Sequence, residues 1–540
     1  MAYRQTDKPP ITAVAETIPA LLTEQARRSG STVAIAGADT RLTYAELHAA
    51  ARTVTRAAMS AGVRRGDRVA LWAPNSAHWI TTALGLLGAG ATLVPIGTRL
   101  RGAEAADILR RSGCRALFTV RGFLGIDYPE LLSGHGELPG LRFTVLLPVT
   151  AHGERVHTTR AGVAHPYDLA LDWATFLAEA DSTPLPEAEL RTAAITPDDI
   201  CDILFTSGTT GAPKGVLAAH NRTLAVLDLW ATVVDLRHGD RCLLVNPFAH
   251  TFGYKAGIVA CLLRAATMVP LDVFDAHTAA EVMEAEKITV LAGPPTVFID
   301  LLRLRRRFSA LRLAGTGGAA IPETLVDRIR GELGAAEVFT AYGLTESIGV
   351  VSVCAPGEPA TITARTVGKA LPGSEIRIIG PDGTAAPAGV PGEIVVRGPN
   401  VMCGYLDDPE ATAAAVDRAG WLHTGDAGTL DADGNLRITD RLKNMFTVGG
   451  FNVYPAEVEQ ALLEYPGIIE AAVIGIPDDR LGEIGAAFVV TEDAAGFDLD
   501  ALIAWCRTRL ASYRVPRLVR IRNQLPRNVT GKIRKRDLHP

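Results

Sequence analysis

The chain repeatedly sets a short run of β-branched and apolar residues beside a longer alanine- and leucine-rich stretch. No other feature limits its possible folds as much. DRVALWAP (Asp67–Pro74), TLVPI (Thr92–Ile96), RALFTV (Arg115–Val120), FTVLLPV (Phe143–Val149) and CDILFTS (Cys201–Ser207) read as strands. Segments such as YAELHAAARTVTRAAMSAG (Tyr44–Gly62) separate several of them and read as helices. A second round follows in CLLVNPF, ATMVPLD, TVLAGPP and LRLAGTGG. Strands that alternate with helices predict parallel sheets covered by helices, an α/β fold.

From about Glu375 the pattern changes to short strands with glycine-rich turns, EIRIIGPDG, GEIVVRG and LRITDR, which predict a small antiparallel region. The last hundred residues form a further unit. PAEVEQALLEY places Pro455 in a first helical turn and Val458, Ala461 and Leu462 at helical spacing. EAAVIGIPD and GAAFVVT read as strands, and LDALIAWCRTRL as a helix. The predicted organisation is a large domain over 1–442, including the β-rich subdomain, and a small α+β domain over 443–540.

A chain of 540 residues, 48% apolar, can bury several cores. Its net charge of −5 gives no basic face for nucleic acid. The uncharged run Trp79–Thr98 is long enough to raise a membrane span. Gly88, Gly90 and Pro95 interrupt it, so it reads as a buried helix feeding a buried strand. Seven cysteines with no C-x-x-C spacing predict free thiols rather than a disulfide framework or a zinc site. With no signal pattern at the N-terminus, these features imply a soluble cytoplasmic protein. They leave a homodimer open.

The segment FTSGTTGAPKGV (Phe205–Val216) concentrates the chemistry. Thr206, Ser207, Gly208, Thr209, Thr210 and Gly211 follow a strand, and a helix is predicted from near His220. Glycines let backbone N–H groups curl around an anion, hydroxyls add donors, and Lys214 adds charge. A polyphosphate suits this arrangement, although the spacing is not that of a Walker A loop.

The same segment resembles the phosphate loop of the acyl-adenylate-forming superfamily: acyl-CoA synthetases, luciferases and peptide-synthetase adenylation domains. LTYAEL, PIGTRL, PFAHTFG, GTGGAAIP, AYGLTE, WLHTGD, DRLKNMFTVGGFNVYP and PRNVTGK extend the resemblance in order over nearly the whole chain. It implies two reactions. A carboxylate oxygen attacks the α-phosphorus of ATP, giving acyl-AMP and releasing pyrophosphate. A thiol then attacks the acyl carbon, loses its proton, and displaces AMP. Both depend on positioning and charge neutralisation.

The resemblance also implies residue roles. Tyr342 would lie against the adenine, with the backbone of Gly317, Gly318 and Ala319 as the opposite wall. Thr345 would meet phosphate and Glu346 Mg²⁺, a hard cation that takes carboxylate and water ligands. Asp426 would hold the ribose hydroxyls as a carboxylate acceptor of a vicinal diol, with Arg441 nearby. Lys532 would be the catalytic lysine bridging the attacking carboxylate and the α-phosphate. Lys443 would be the hinge about which the small domain turns between the two reactions, bringing Gly449–Gly450 to the pantetheine tunnel. Thr447 replaces a lysine that some members use in the second reaction, which disfavours a luciferase-type activity.

The implied cofactors are ATP, Mg²⁺ and coenzyme A. A carrier-protein thiol or partner ligase as acceptor is the alternative. His250 would gate the acyl site, and FGYKAGI resembles ligases for bulky steroid- or terpenoid-derived acids. Tyr254 and Lys255 would then face a remote polar group of the acid, or Lys255 is a solvated charge; both readings stay open. The basic run Arg303–Phe308 reads as an exposed face.

Overall fold

The computed structural model describes residues 15–38, 40–149, 170–206, 213–317, 321, 323–441, 444–448, 451–478, 480–494, 496–510, 512–527 and 533–540. Two compact units share the chain. The first comprises Met1–Ala292, Leu344–Gly349 and Pro399–Ala414; the second comprises Gly293–Gly343, Val350–Gly398 and Ala415–Pro540.

In the first unit, the described residues form an eight-stranded sheet. Its order is Gly404–Tyr405, Gly215–Ala219, Ile200–Phe205, Thr92–Pro95, Arg68–Trp72, Ala116–Thr119, Phe143–Leu146 and Leu171–Asp172. The run from Ile200–Phe205 to Leu171–Asp172 is parallel, as the strand–helix alternation predicts. Val290–Gly293, Arg241–Leu244, Thr267–Pro270 and Val33–Ala36 form a further parallel set, with Arg41–Thr43 antiparallel at its edge.

The helix Tyr44–Ser60 starts at a capping box: Thr43 accepts from Glu46 N, and the Glu46 carboxylate accepts from Thr43 N. The uncharged run resolves into the helix Ala77–Gly88 and the strand Thr92–Pro95, both buried. A Cβ on Gly85 would collide with Val54 and Ala51 of the Tyr44–Ser60 helix. The glycine lets the two backbones approach closely, which explains why a long apolar stretch is broken by small residues. Among the described residues, no helix is long and apolar enough to cross a membrane.

In the second unit, Leu313–Gly317 and Glu337–Tyr342 run parallel, and Ser352–Cys354 and Lys369–Ala370 are antiparallel. The expected antiparallel region is the sheet Glu375–Ile379, Gly392–Arg397, Leu422–Leu430 and Leu436–Arg441. The C-terminal segment has its own sheet, in which Gly482–Thr491 pairs with Phe446–Val448, Ile468–Asp478 and Leu518–Ile521. The helix Pro455–Leu463 buries Val458 and Leu462 against Val473, Val489 and Leu502. This is the face its spacing predicted.

Candidate active site

The segment expected to bind phosphate follows the strand Ile200–Phe205, and a helix starts at His220, both as the sequence implies; the strand Gly215–Ala219 between them is not one that its pattern predicts. Ile200–Phe205 pairs antiparallel with Gly215–Ala219, and the helix His220–Val233 follows that second strand. That strand is short and alanine-rich, so its composition does not mark it as a strand. Thr206 N donates to Lys214 O at 2.9 Å and closes the hairpin at its base. Arg111 also holds it: Nη1 donates to Pro213 O at 2.5 Å, and the guanidinium lies 5.6 Å from the Phe205 ring centre. The base of the hairpin is therefore fixed on both strands.

Tyr405 joins this hairpin to the carboxylate expected to serve Mg²⁺. The strand Gly404–Tyr405 pairs with Val216 and Leu217, and Leu406 N donates to Gly215 O at 2.8 Å. A Cβ on Gly215 would press on Ile203, Leu406 and Phe205, so glycine is required for this approach. The Tyr405 hydroxyl donates to Glu346 Oε1 at 2.9 Å. Its ring faces the Lys214 ammonium, 4.7 Å from the ring centre. Burial, and then the charge of Glu346, push the Tyr405 phenol well above its ordinary range, so it stays a donor.

Thr345 and Glu346 occupy the turn Thr345–Ser347. Gly349 N donates to Leu344 O, and Met402 N to Glu346 O, both at 2.9 Å. Among the described residues, Glu346 Oε2 has no partner. No group of three or more His, Cys, Asp or Glu that could hold a metal was found there either. A lone carboxylate with one open oxygen fits Mg²⁺ arriving on ATP phosphates, which keeps most ligands as phosphate and water, and does not fit a resident metal cage.

In the second unit, Tyr342 ends the strand Glu337–Tyr342 and donates its hydroxyl to Asp426 Oδ2 at 2.5 Å. Asp426 is buried and lies opposite Arg441 in the strand register. Its own N–H donates to Thr424 Oγ1. An ionised carboxylate has the acceptor sites a vicinal diol needs. Gly317 lies where a Cβ would strike Ala341 O, so the neighbouring strand alone already requires a glycine there.

On the acyl side, His250 accepts from Phe252 N through Nδ1 at 3.2 Å. Its ring reaches solvent, yet the protein around it dehydrates the imidazole enough to lower its pKa. Tyr254 is fully buried beside Trp79, and among the described residues its hydroxyl has no hydrogen-bond partner. Lys255 is not a solvated charge. It is 2% exposed, and Nζ lies 3.0 Å from Oδ1 of the buried Asp202. Its ammonium is thereby committed within the core, against the expectation that it meets the acid.

Ser207, Gly208, Thr209, Thr210, Gly211, Gly318, Ala319, Lys443, Gly449, Gly450 and Lys532 lie outside the described residues, as does the side chain of Arg441. Sequence reasoning missed Arg111, Asp202 and Tyr405. No local motif marks them. An aspartate in an apolar strand was the one available signal, since a buried charge needs a partner.

The fold and these groups define an ATP-using, acid-activating ligase. The chain belongs to the AMP-binding enzyme family: the family's model matches residues 22–406, and that of the AMP-binding enzyme C-terminal domain matches 457–532. It is an AMP-forming carboxylic acid–CoA ligase that uses ATP, Mg²⁺ and coenzyme A. Two similar proteins are 3-(7a-methyl-1,5-dioxo-octahydro-1H-inden-4-yl)propanoyl:CoA ligases. That of Rhodococcus jostii (strain RHA1) is 46% identical, covering 96% of this chain and 97% of its own. That of Mycobacterium tuberculosis is 45% identical, covering 97% and 98%. An anthranilate CoA ligase solved with anthranoyl-AMP superposes with a TM-score of 0.83 at 27% identity, covering 98% of this chain and 97% of that one.

Proposed function

We propose that the acid is a bulky, ring-containing propanoic acid bearing ring ketones, converted through acyl-AMP to its CoA thioester. The observation that carries this reading is the 46% identity, over nearly the full chain, to a ligase for a bicyclic dioxo propanoyl substrate. Tyr254, fully buried beside Trp79, is left out of the acid contact, against the expectation that it meets the acid. His250, neutral at pH 7, would gate the acyl site. Lys255, held by Asp202, is left out of the acid contact.

The remaining roles follow the site geometry and the sequence motifs. The hairpin from Thr206 to Lys214 would cradle the phosphates. Glu346, steadied by Tyr405, would offer its open oxygen to the metal, which when bound offsets charge on the phosphate oxygens. Asp426, with Arg441 beside it, would hold the ribose, and Tyr342 and the Gly317–Ala319 backbone the adenine. Lys532, carried on the segment 443–540 with its own core, would bring its charge between the acid and the α-phosphate. Movement about Lys443 would then withdraw it and present Gly449–Gly450 to the thiol. Seven free cysteines, six of them buried, suit a reducing cytoplasm.

The test is pyrophosphate release across a panel of acids, with and without CoA, followed by mass analysis. Bicyclic keto acids should outrun octanoate, because a short straight chain leaves pocket surface unfilled at about 0.8 kcal/mol per missing methylene. The product should be a CoA thioester. Preference for octanoate would overturn the acid assignment, and acyl-AMP that persists in the presence of CoA would favour a carrier-protein acceptor.

A further inference from the structure

Four polar groups are sealed together at the root of the phosphate hairpin. Cys201 and Asp202 lie on the strand Ile200–Phe205; Tyr254 and Lys255 open the π-helical stretch Tyr254–Val259. All four are buried. Cys201 Sγ donates to Asp202 Oδ2 at 3.1 Å, while Lys255 Nζ faces Oδ1 at 3.0 Å. Among the described residues Oδ1 has no aligned hydrogen-bond donor, so the Lys255 contact is an ion pair that acts through charge. The charge of Asp202 adds to burial in raising both the Cys201 thiol and the Tyr254 phenol, which places it beside both.

Each partner belongs to an element that reaches the site. Three residues after Asp202, the strand ends and Thr206 begins the phosphate hairpin. Four residues before Lys255, Thr251 packs on Gly349 so closely that a Cβ there would come within 3.0 Å of the Thr251 Cβ. Gly349 in turn closes the turn that carries Glu346. A Cβ on Gly253 would run into the Pro247 and Asn246 carbonyl oxygens, so the start of this helix has little room to shift. The Asn75 side chain pins the approach, donating to Leu244 O and Asn246 O and accepting from Phe248 N.

A buried ion pair is seldom there for stability, since an apolar pair of equal volume is often as stable. Apolar contacts tolerate sliding, whereas an ion pair in a low-dielectric core favours one separation. We propose that the Lys255–Asp202 pair is a positioning element for adenylation: it fixes the phosphate hairpin relative to the helix that abuts the Glu346 turn. This rests on the phosphate role of the hairpin given above. A π-helical segment, which inserts a residue into the helical repeat, turns Lys255 toward the strand at this point.

The test uses the full-length enzyme with an acid that supports wild-type ATP–pyrophosphate exchange. No wild-type exchange with any acid would defeat the functional reading rather than this one. The paired substitution Lys255→Met with Asp202→Asn removes both charges at nearly constant volume. It should melt close to wild type, lose about tenfold or more in pyrophosphate exchange, and retain thioester formation from supplied acyl-AMP within about twofold. Lys255→Arg keeps the charge but changes its shape and reach, and should show the same split at smaller size. If the paired variant fails to fold, Lys255→Arg decides alone. Equal loss in both half-reactions, or no loss in exchange, would overturn the proposal.

Discussion

Replacing Tyr405 by phenylalanine isolates one hydrogen bond at the centre of the candidate site. The ring stays, and with it the cation–π contact to Lys214 at 4.7 Å. What disappears is the hydroxyl that donates to Glu346 Oε1 at 2.9 Å. A hydrogen bond to a charged group contributes about 1.5–3 kcal/mol, and water replaces part of it here because both side chains are only partly buried. A net loss of about 1–2 kcal/mol follows, or about 5- to 30-fold in an equilibrium constant.

If the phenol holds the carboxylate in place for the metal, the loss falls on Mg²⁺. Pyrophosphate exchange at saturating acid should then need about 5- to 30-fold more Mg²⁺ for half-maximal rate, with the KM of the acid little changed. Because burial keeps the phenol protonated well beyond neutral pH, the effect should not vary between pH 6 and 8. Tyr405→Leu also removes the ring and should cost about 0.5–1 kcal/mol more through Lys214. An unchanged Mg²⁺ requirement in Tyr405→Phe, at wild-type folding, would refute the positioning argument.

Lys532→Ala should nearly abolish pyrophosphate release, by about 3 kcal/mol or more of transition-state stabilisation, while sparing thioester formation from supplied acyl-AMP; normal release would remove Lys532 from adenylation. Tyr342→Phe leaves the buried Asp426 without its phenol donor, and should weaken ATP binding by about tenfold in calorimetry with little effect on a non-nucleotide step. His220 supplies a pH test of the fold. Burial lowers its pKa from 6.5 to about 4, and its Nδ1 accepts from Ile18 N. Between these two values the unfolded chain binds a proton that the folded protein does not. The His220 contribution is therefore complete above pH 6.5, and about 3 kcal/mol of it is lost as the pH falls toward 4. His220→Gln should flatten the stability curve across that window in urea titrations, and an unaltered slope would count against it.

Much of the architecture was legible from local pattern. Strand–helix alternation is a statement about which faces must be buried, and it predicted the parallel sheets. The spacing of Val458, Ala461 and Leu462 fixed the buried face of the C-terminal helix. Residue chemistry likewise singled out Thr206–Lys214 and Glu346 as candidates, because glycines, hydroxyls and a carboxylate lie together within single short motifs. Tertiary structure decided the partners. Tyr405 meets Glu346 across 59 residues of sequence, and it does so because Gly404–Tyr405 adds to the edge of a sheet whose strand order no local pattern encodes. The sequence could show that Asp202 and Lys255 each carry a charge. Only the packing of a strand against a π-helical segment could bury them against each other, because pairing depends on separation in space and local residue preferences act over a few bonds.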